Sequence, residues 1–198
     1  MHELEMPKIK QWLVLDRFDR AVLAATAVIL FCQLIVPPII GLADNGDFDK
    51  ILGLVGLKHA AMSYEERFFH YINSQFLFAE PGWYASGYLT SETLIIWVAR
   101  AIGSLVSKDG VFDIRIVGAL QAIILLFSLA LVLSAARGLQ PISRRVLALL
   151  LVVMFTDVGY VSLLNSFYSQ TASFLFLLVA AGLAALMISE RGENGWTF

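Results

Sequence analysis

The stretch Ala43-Asp44-Asn45-Gly46-Asp47-Phe48-Asp49-Lys50 sets three carboxylates, Asp44, Asp47 and Asp49, within six residues of one another, directly after a long apolar run. Acids at a membrane exit stay ionised in interfacial water while facing chemistry in the headgroup layer. Helix ends and turns use the same residue types: Asp47 stands where it could N-cap a helix starting at Phe48, with Asn45-Gly46 closing the helix before it. Lys50 occupies the position where a capping box would put Glu, so capping explains the pattern only in part, and both readings stay open for Asp44 and Asp47. Two further polar interruptions fall in apolar sequence: Thr156-Asp157-Val158-Gly159-Tyr160, and Asn165-Ser166-Phe167-Tyr168-Ser169-Gln170-Thr171. Ionisable groups at membrane depth mark candidate sites. The competing structural roles are a helix cap for Asp157 and interfacial anchoring for Tyr160 and Tyr168.

These residues sit in a chain of 198 residues that is 59% hydrophobic and only 15% charged, with a mean hydropathy of +0.76. Such a composition indicates an all-α, polytopic membrane protein in contact with membrane lipid. A net charge of −2 offers no basic surface for nucleic acid. Cys32 is alone and forms no internal disulfide, and His2, His59 and His70 are scattered without metal-ligand spacing, so no metal site is expected.

The apolar periodicity and lengths predict four transmembrane helices at 21–43, 114–136, 146–164 and 170–189, in a single membrane domain over 1–198. Residues 1–20 form a cytoplasmic or interfacial tail, with Trp12 to Phe18 suited to a helix on the membrane surface. Residues 44–113 form a long first external loop. Within it, Phe48–Leu57 reads as a short amphipathic helix, and 88–106 as a juxtamembrane amphipathic helix rather than a span, because Glu92 and Arg100 interrupt it. The expected apolar stripe is Leu94, Ile95, Trp97, Val98, Ala101, Ile102 and Leu105, with Glu92, Arg100 and Ser104 off it. This arrangement puts Arg137, Arg144, Arg145, Arg191 and the basic residues of the tail on one side, as the positive-inside rule requires, with both termini cytoplasmic. Gly118 and Ala122, and Ala181 and Ala185, supply small residues at four-residue spacing for close helix packing.

With a first span ending in an acid cluster, a long external loop and a second span introduced by Phe112-Asp113-Ile114-Arg115, the chain resembles the GT-C class of membrane glycosyltransferases. The Asp-Asn-Gly-Asp-Phe block followed by the Asn-Ser-Phe-Tyr-Ser block is more narrowly similar to bacterial glycan-biosynthesis hexose transferases (WsfD-like). The resemblance implies an inverting transferase of the bacterial inner membrane that takes a sugar from a polyprenyl-phosphate donor at the outer face. It makes Asp47, or Asp44, the base. It places Asp157, Tyr160, Asn165, Tyr168 and Gln170 around the substrate cavity. It fixes no cofactor and leaves room for a divalent cation. Two departures stand out: Gln170 replaces a usual acid, and four spans are only the N-terminal part of such a fold. The alternative expectation is therefore a non-catalytic membrane subunit, truncated from that scaffold, that packs against other membrane chains in a larger complex.

Overall fold

A computed structural model describes residues 13–60, 62–68, 72–83, 88–107 and 109–193, without side chains for 190–193. The segment 1–12, His70, Tyr84 and the side chain of Arg191 lie outside the described residues, and with them the expectations placed on them.

Helix α1 (Arg17–Leu34) starts at Asp16, whose side chain accepts from the backbone N–H of Asp19 while Asp19 returns the bond to the backbone N–H of Asp16. It stops at Leu34 because Val36-Pro37-Pro38 follows: proline has no N–H to donate and disfavours helical geometry in the residue before it. The chain then runs without regular structure to Asp47. Seven α-helices and three strands complete the fold among the described residues: α2 (Phe48–Val55), β1 (Leu57–His59), α3 (Tyr64–Phe68), β2 (Gln75–Phe78), α4 (Ser91–Val106), β3 (Val111–Asp113), α5 (Arg115–Ala135), α6 (Pro141–Phe155), α7 (Val158–Leu164) and α8 (Ser169–Glu193).

Among the described residues, two helices are long and apolar enough to cross a membrane, Arg115–Gly138 and Ser169–Ser189; a third crossing is made only if Pro141–Phe155 and Val158–Leu164, bent by 62° at their break, act as one span. This establishes an integral membrane protein and corrects the expectation of four spans. The run 21–43 fails as a span because its helix ends at Leu34 and carries Arg17, Asp19 and Arg20 in its first turn. Its charge-free helical part, Ala21–Leu34, is about 21 Å long, short of a hydrocarbon core of about 30 Å. The run 146–164 is broken because Asp157 accepts from the backbone N–H of Gly159 at 2.9 Å and starts a new helix.

α5 and α8 form the main helix pair, and a Cβ on Gly182 would come within 2.8 Å of Leu131, so the close approach here uses Gly182 rather than Ala181, which is exposed. α1 lies antiparallel to α5. At one end Arg144 binds Asp16 (3.1 Å) and Asp19; at the other Arg115 donates to the carbonyl of Ile35 (3.4 Å). Leu30, Leu34, Leu125, Leu129, Leu164 and Leu175 fill the core between these helices.

Residues 44–113 hold a small antiparallel sheet, order β1-β2-β3, which the periodicity of the sequence did not announce; Leu57 pairs with Phe78, and Phe76 with Phe112. Its inner face and helices α2 and α4 enclose Phe48, Leu52, Phe76, Ile96 and Phe112. Phe167, from the turn between α7 and α8, enters this second core edge-on to Phe48 (5.2 Å) and Phe76 (4.8 Å). The two cores are thereby joined at one end of the bundle.

Candidate functional site

The acid cluster folds around Asp44. Asn45-Gly46 makes a turn in which Gly46 takes φ = 101°, a conformation that favours glycine. The turn brings the Asp44 carboxylate back over the start of α2: Oδ1 accepts from the amides of Gly46 (2.7 Å) and Phe48 (3.2 Å). Asp44 thus does the capping that Asp47 was placed to do; the Asp47 side chain makes no cap bond. The other oxygen, Oδ2, accepts from both Arg67 Nε (2.9 Å) and Nη2 (2.7 Å), and lies 3.0 Å from His59 Nε2. Arg67 Nη2 also reaches Asp49 Oδ2 at 2.7 Å. Burial of Asp44 works against its charge, but the hydrogen bonds from His59, Arg67 and the two amides outweigh it and bring the carboxyl down to about 2.

Asp47 points away from this cluster and pairs with Lys50 Nζ at 2.6 Å, with 49% of its side chain exposed. Asn165 is fully buried in the turn between α7 and α8. Its Nδ2 donates to the carbonyls of Leu34 (3.0 Å) and Ile40 (2.8 Å), on either side of Pro37-Pro38. Gly118 makes room for it: a Cβ there would fall 2.1 Å from Asn165 Oδ1. Tyr168 O–H donates to the carbonyl of Ala43 at 2.8 Å, and burial together with the nearby Asp44 charge pushes its phenol upward. The segment 34–44 is therefore stitched to the α7–α8 turn by Asn165 and Tyr168, and to α2, β1 and α3 by Asp44.

The remaining candidates lie elsewhere. Asp157 is exposed and caps α7, Tyr160 stacks on Phe174 (5.8 Å between ring centroids), and Gln170 is exposed near the start of α8. No hydrogen bond or ion pair among the described residues connects these three to Asp44. Nor do the described residues place three or more His, Cys, Asp or Glu side chains to hold a metal ion.

The most buried acid of residues 44–113 is Glu92, which the sequence does not mark as a site residue. It projects from the first turn of α4, 0% exposed; Oε1 accepts from Gln121 Nε2 of α5 (2.6 Å) and Oε2 from the amide of Ala172 in α8 (3.0 Å). Burial pushes its carboxyl up to about 8, only partly offset by the bonds from Ala172 and Gln121. The sequence did hold a signal: Glu92, Ile96, Ala99 and Gly103 repeat at three- and four-residue spacing, and all four are buried. α4 buries this stripe and turns Leu94, Trp97, Val98, Ile102 and Leu105 outward. Likewise His59, scattered in the sequence without metal-ligand spacing, and Arg67 prove to be the partners of Asp44.

One consequence is measurable. Arg67→Met leaves a buried carboxylate without its cation, beside the like charge of Asp49. It is expected to lower stability by about 2–3 kcal/mol, read as a fall in the thermal unfolding midpoint in detergent. Wild-type Asp44 contributes stability above the ordinary carboxyl value of 3.8 and loses it as pH falls through about 2. Arg67→Met is expected to move that loss to higher pH.

Among comparisons with known proteins, the family described as the YfdI N-terminal transmembrane domain matches residues 9–197. No curated protein and no solved structure matches the chain. Both sequence blocks that carried the GT-C resemblance lie inside the matched residues. That family description is of a transmembrane domain, and two or at most three candidate spans replace the four the resemblance required. The glycosyltransferase assignment is corrected accordingly, and with it the polyprenyl-phosphate donor and the sugar-transfer chemistry. With nearly its whole length matched, the chain belongs to the YfdI N-terminal transmembrane domain family.

Proposed function

We propose that this chain is a non-catalytic integral-membrane module that packs through the apolar outer sides of its helices against other membrane-embedded helices in a larger assembly. The observation that carries this reading is α6. Of its fifteen residues only Ala148 and Phe155 are buried, while Ile142, Val146, Leu149, Leu150, Val153 and Met154 are turned outward. A helix this apolar and this little covered has either lipid or another helix as its neighbour. The state of the polar residues supports the same reading. Asp44 accepts four hydrogen bonds and lies against His59, and a carboxyl held near 2 is a weak base at neutral pH.

In this reading Asp44, Asn165 and Tyr168 hold segment 34–44 in place, Asp47 is an interfacial ion-pair residue, Asp157 and Tyr160 shape the α6–α7 break, and Gln170 is a surface residue. The end of the bundle where Arg144 meets Asp16 and Asp19, and where Arg145 lies over Phe18, gathers basic residues and faces the cytoplasm, following the positive-inside rule. Extraction from the native membrane into polymer nanodiscs, followed by native mass measurement, tests the proposal. Particles in which the 21.9 kDa chain is accompanied by a reproducible partner mass are expected. A lone chain in every particle would contradict it.

A further inference from the structure

Between the end of α4 and the start of α5 runs an open groove of about 480 Å³, walled by Ile35, Ile102, Val106, Ile116, Ala119 and Leu120. Its volume is within the usual range of about 300–1,000 Å³ for small-molecule sites. Its charged mouth is formed by Asp113 and Arg115. Arg115 is the first residue of a candidate span, so the mouth lies at headgroup level and Ile116, Ala119 and Leu120 follow it into the apolar part. The opposite wall belongs to the outward apolar face of α4, where Ile102 and Val106 are exposed. This is a slot for a hydrocarbon chain with a polar group at its top.

The charges at the mouth decide which polar group. Arg115 Nε donates to both oxygens of Asp113 (2.9 and 2.8 Å), Nη2 adds a further bond to Oδ2, and the Arg115 amide donates to Oδ1 (2.9 Å). The pair is held together and is neutral overall, yet both members remain partly exposed, Arg115 at 39% and Asp113 at 26%. A phosphate alone would leave the mouth with one uncompensated negative charge. A headgroup carrying both a phosphate and an ammonium keeps it neutral: phosphate oxygens accept from the guanidinium N–H groups engaged by neither Asp113 nor the Ile35 carbonyl, and the ammonium donates to the exposed Asp113 carboxylate, whose two oxygens share the one Nε hydrogen and so keep an acceptor site. A quaternary ammonium balances the charge but has no N–H to give.

We propose that this groove binds one bilayer phospholipid with a primary-amine zwitterionic headgroup, an acyl chain lying between α4 and α5 and the headgroup straddling Asp113 and Arg115.

The test is lipid retention by native mass spectrometry of the full chain in detergent micelles. Palmitoyl-oleoyl phosphatidylethanolamine, phosphatidylcholine and phosphatidylglycerol are supplied at equal mole fraction. Phosphatidylethanolamine is expected to exceed both others by about three- to tenfold, the scale of one charge-assisted hydrogen bond. Asp113→Asn, which keeps an oxygen to accept the Arg115 amide, is expected to reduce phosphatidylethanolamine to the level of phosphatidylcholine. Ala119→Phe, which fills the groove, is expected to lower retention of all three while leaving the unfolding midpoint within a few degrees of wild type. Equal retention of the three lipids, a preference for phosphatidylglycerol, or a preference for phosphatidylethanolamine that survives both substitutions would overturn the proposal.

Discussion

Asn165→Ala is expected to destabilise the folded protein by about 2–4 kcal/mol, among the largest effects of any single polar substitution in the chain. The side chain is 0% exposed and gives both amide hydrogens to main-chain carbonyls, those of Leu34 and Ile40. Each bond contributes only about 1 kcal/mol net, but removing the donors leaves the buried Leu34 carbonyl and the part-buried Ile40 carbonyl unpaired, and an unsatisfied buried group costs about 1–3 kcal/mol. The segment cannot repair the loss with its own amides, because Pro37 and Pro38 have none. Thermal unfolding in detergent reads the effect, and limited proteolysis within 35–44 localises it: faster cleavage there, with α5 and α8 still protected, is the expected pattern. Asn165→Asp is expected to be worse than alanine, since it sets a carboxylate against two carbonyl oxygens. An Asn165→Ala midpoint equal to wild type would show that the stitch contributes nothing.

The second large effect is expected at Glu92, where charge rather than shape decides the sign. With a folded-state carboxyl near 8 and an ordinary value of 4.5, the folded protein holds a proton that the unfolded chain has released throughout the interval between them. The contribution of Glu92 to stability is therefore fully present below about 4.5 and is lost as pH rises through about 8, at up to about 1.4 kcal/mol per pH unit. Glu92→Gln keeps an acceptor for the Ala172 amide and presents N–H groups to Gln121, whose Oε1 is buried without a partner in the wild type. This variant is expected to be at least as stable as wild type at pH 8 and to lose the pH dependence. Glu92→Ala is expected to cost about 3 kcal/mol at every pH, because it opens a cavity and strands both donors. Unfolding midpoints of the three proteins between pH 5 and 9 separate these outcomes. A flat wild-type profile would remove Glu92 from this role.

What was legible in the sequence follows from which interactions are local. The long apolar helices α5 and α8 show in composition alone, and α4, with sixteen residues, is not among the candidate spans. The small sheet was invisible because its strands are three or four residues long and its partners are distant in sequence. Span count failed where hydropathy and backbone chemistry disagree: 21–43 is apolar throughout, yet Pro37-Pro38 ends the helix inside it, and Asp157 restarts a helix inside 146–164. The polar groups at 43–50 and 165–168 were recognised, and the fold does bring Asp44, Asn165 and Tyr168 to one segment. Their occupation by Arg67, His59 and main-chain carbonyls depends on contacts across 23 residues or more for Arg67, and across 125 or more for Asn165 and Tyr168, which no local pattern encodes. Glu92 was misjudged for the reverse reason. A stripe containing one acid, one alanine and one glycine looks like the weaker face of α4, but small residues are what let a helix approach its neighbours closely, and the acid is what ties it to them.

The central claim is that the chain works by packing against other membrane helices through surfaces such as the outer side of α6. Site-specific photo-crosslinking from Leu149 and Val153 in the intact membrane tests it most directly, with Leu105 on the outward face of α4 as the comparison position. Discrete protein adducts of constant mass from Leu149 and Val153, and lipid adducts from Leu105, are the predicted result. Lipid adducts alone from all three positions would contradict it.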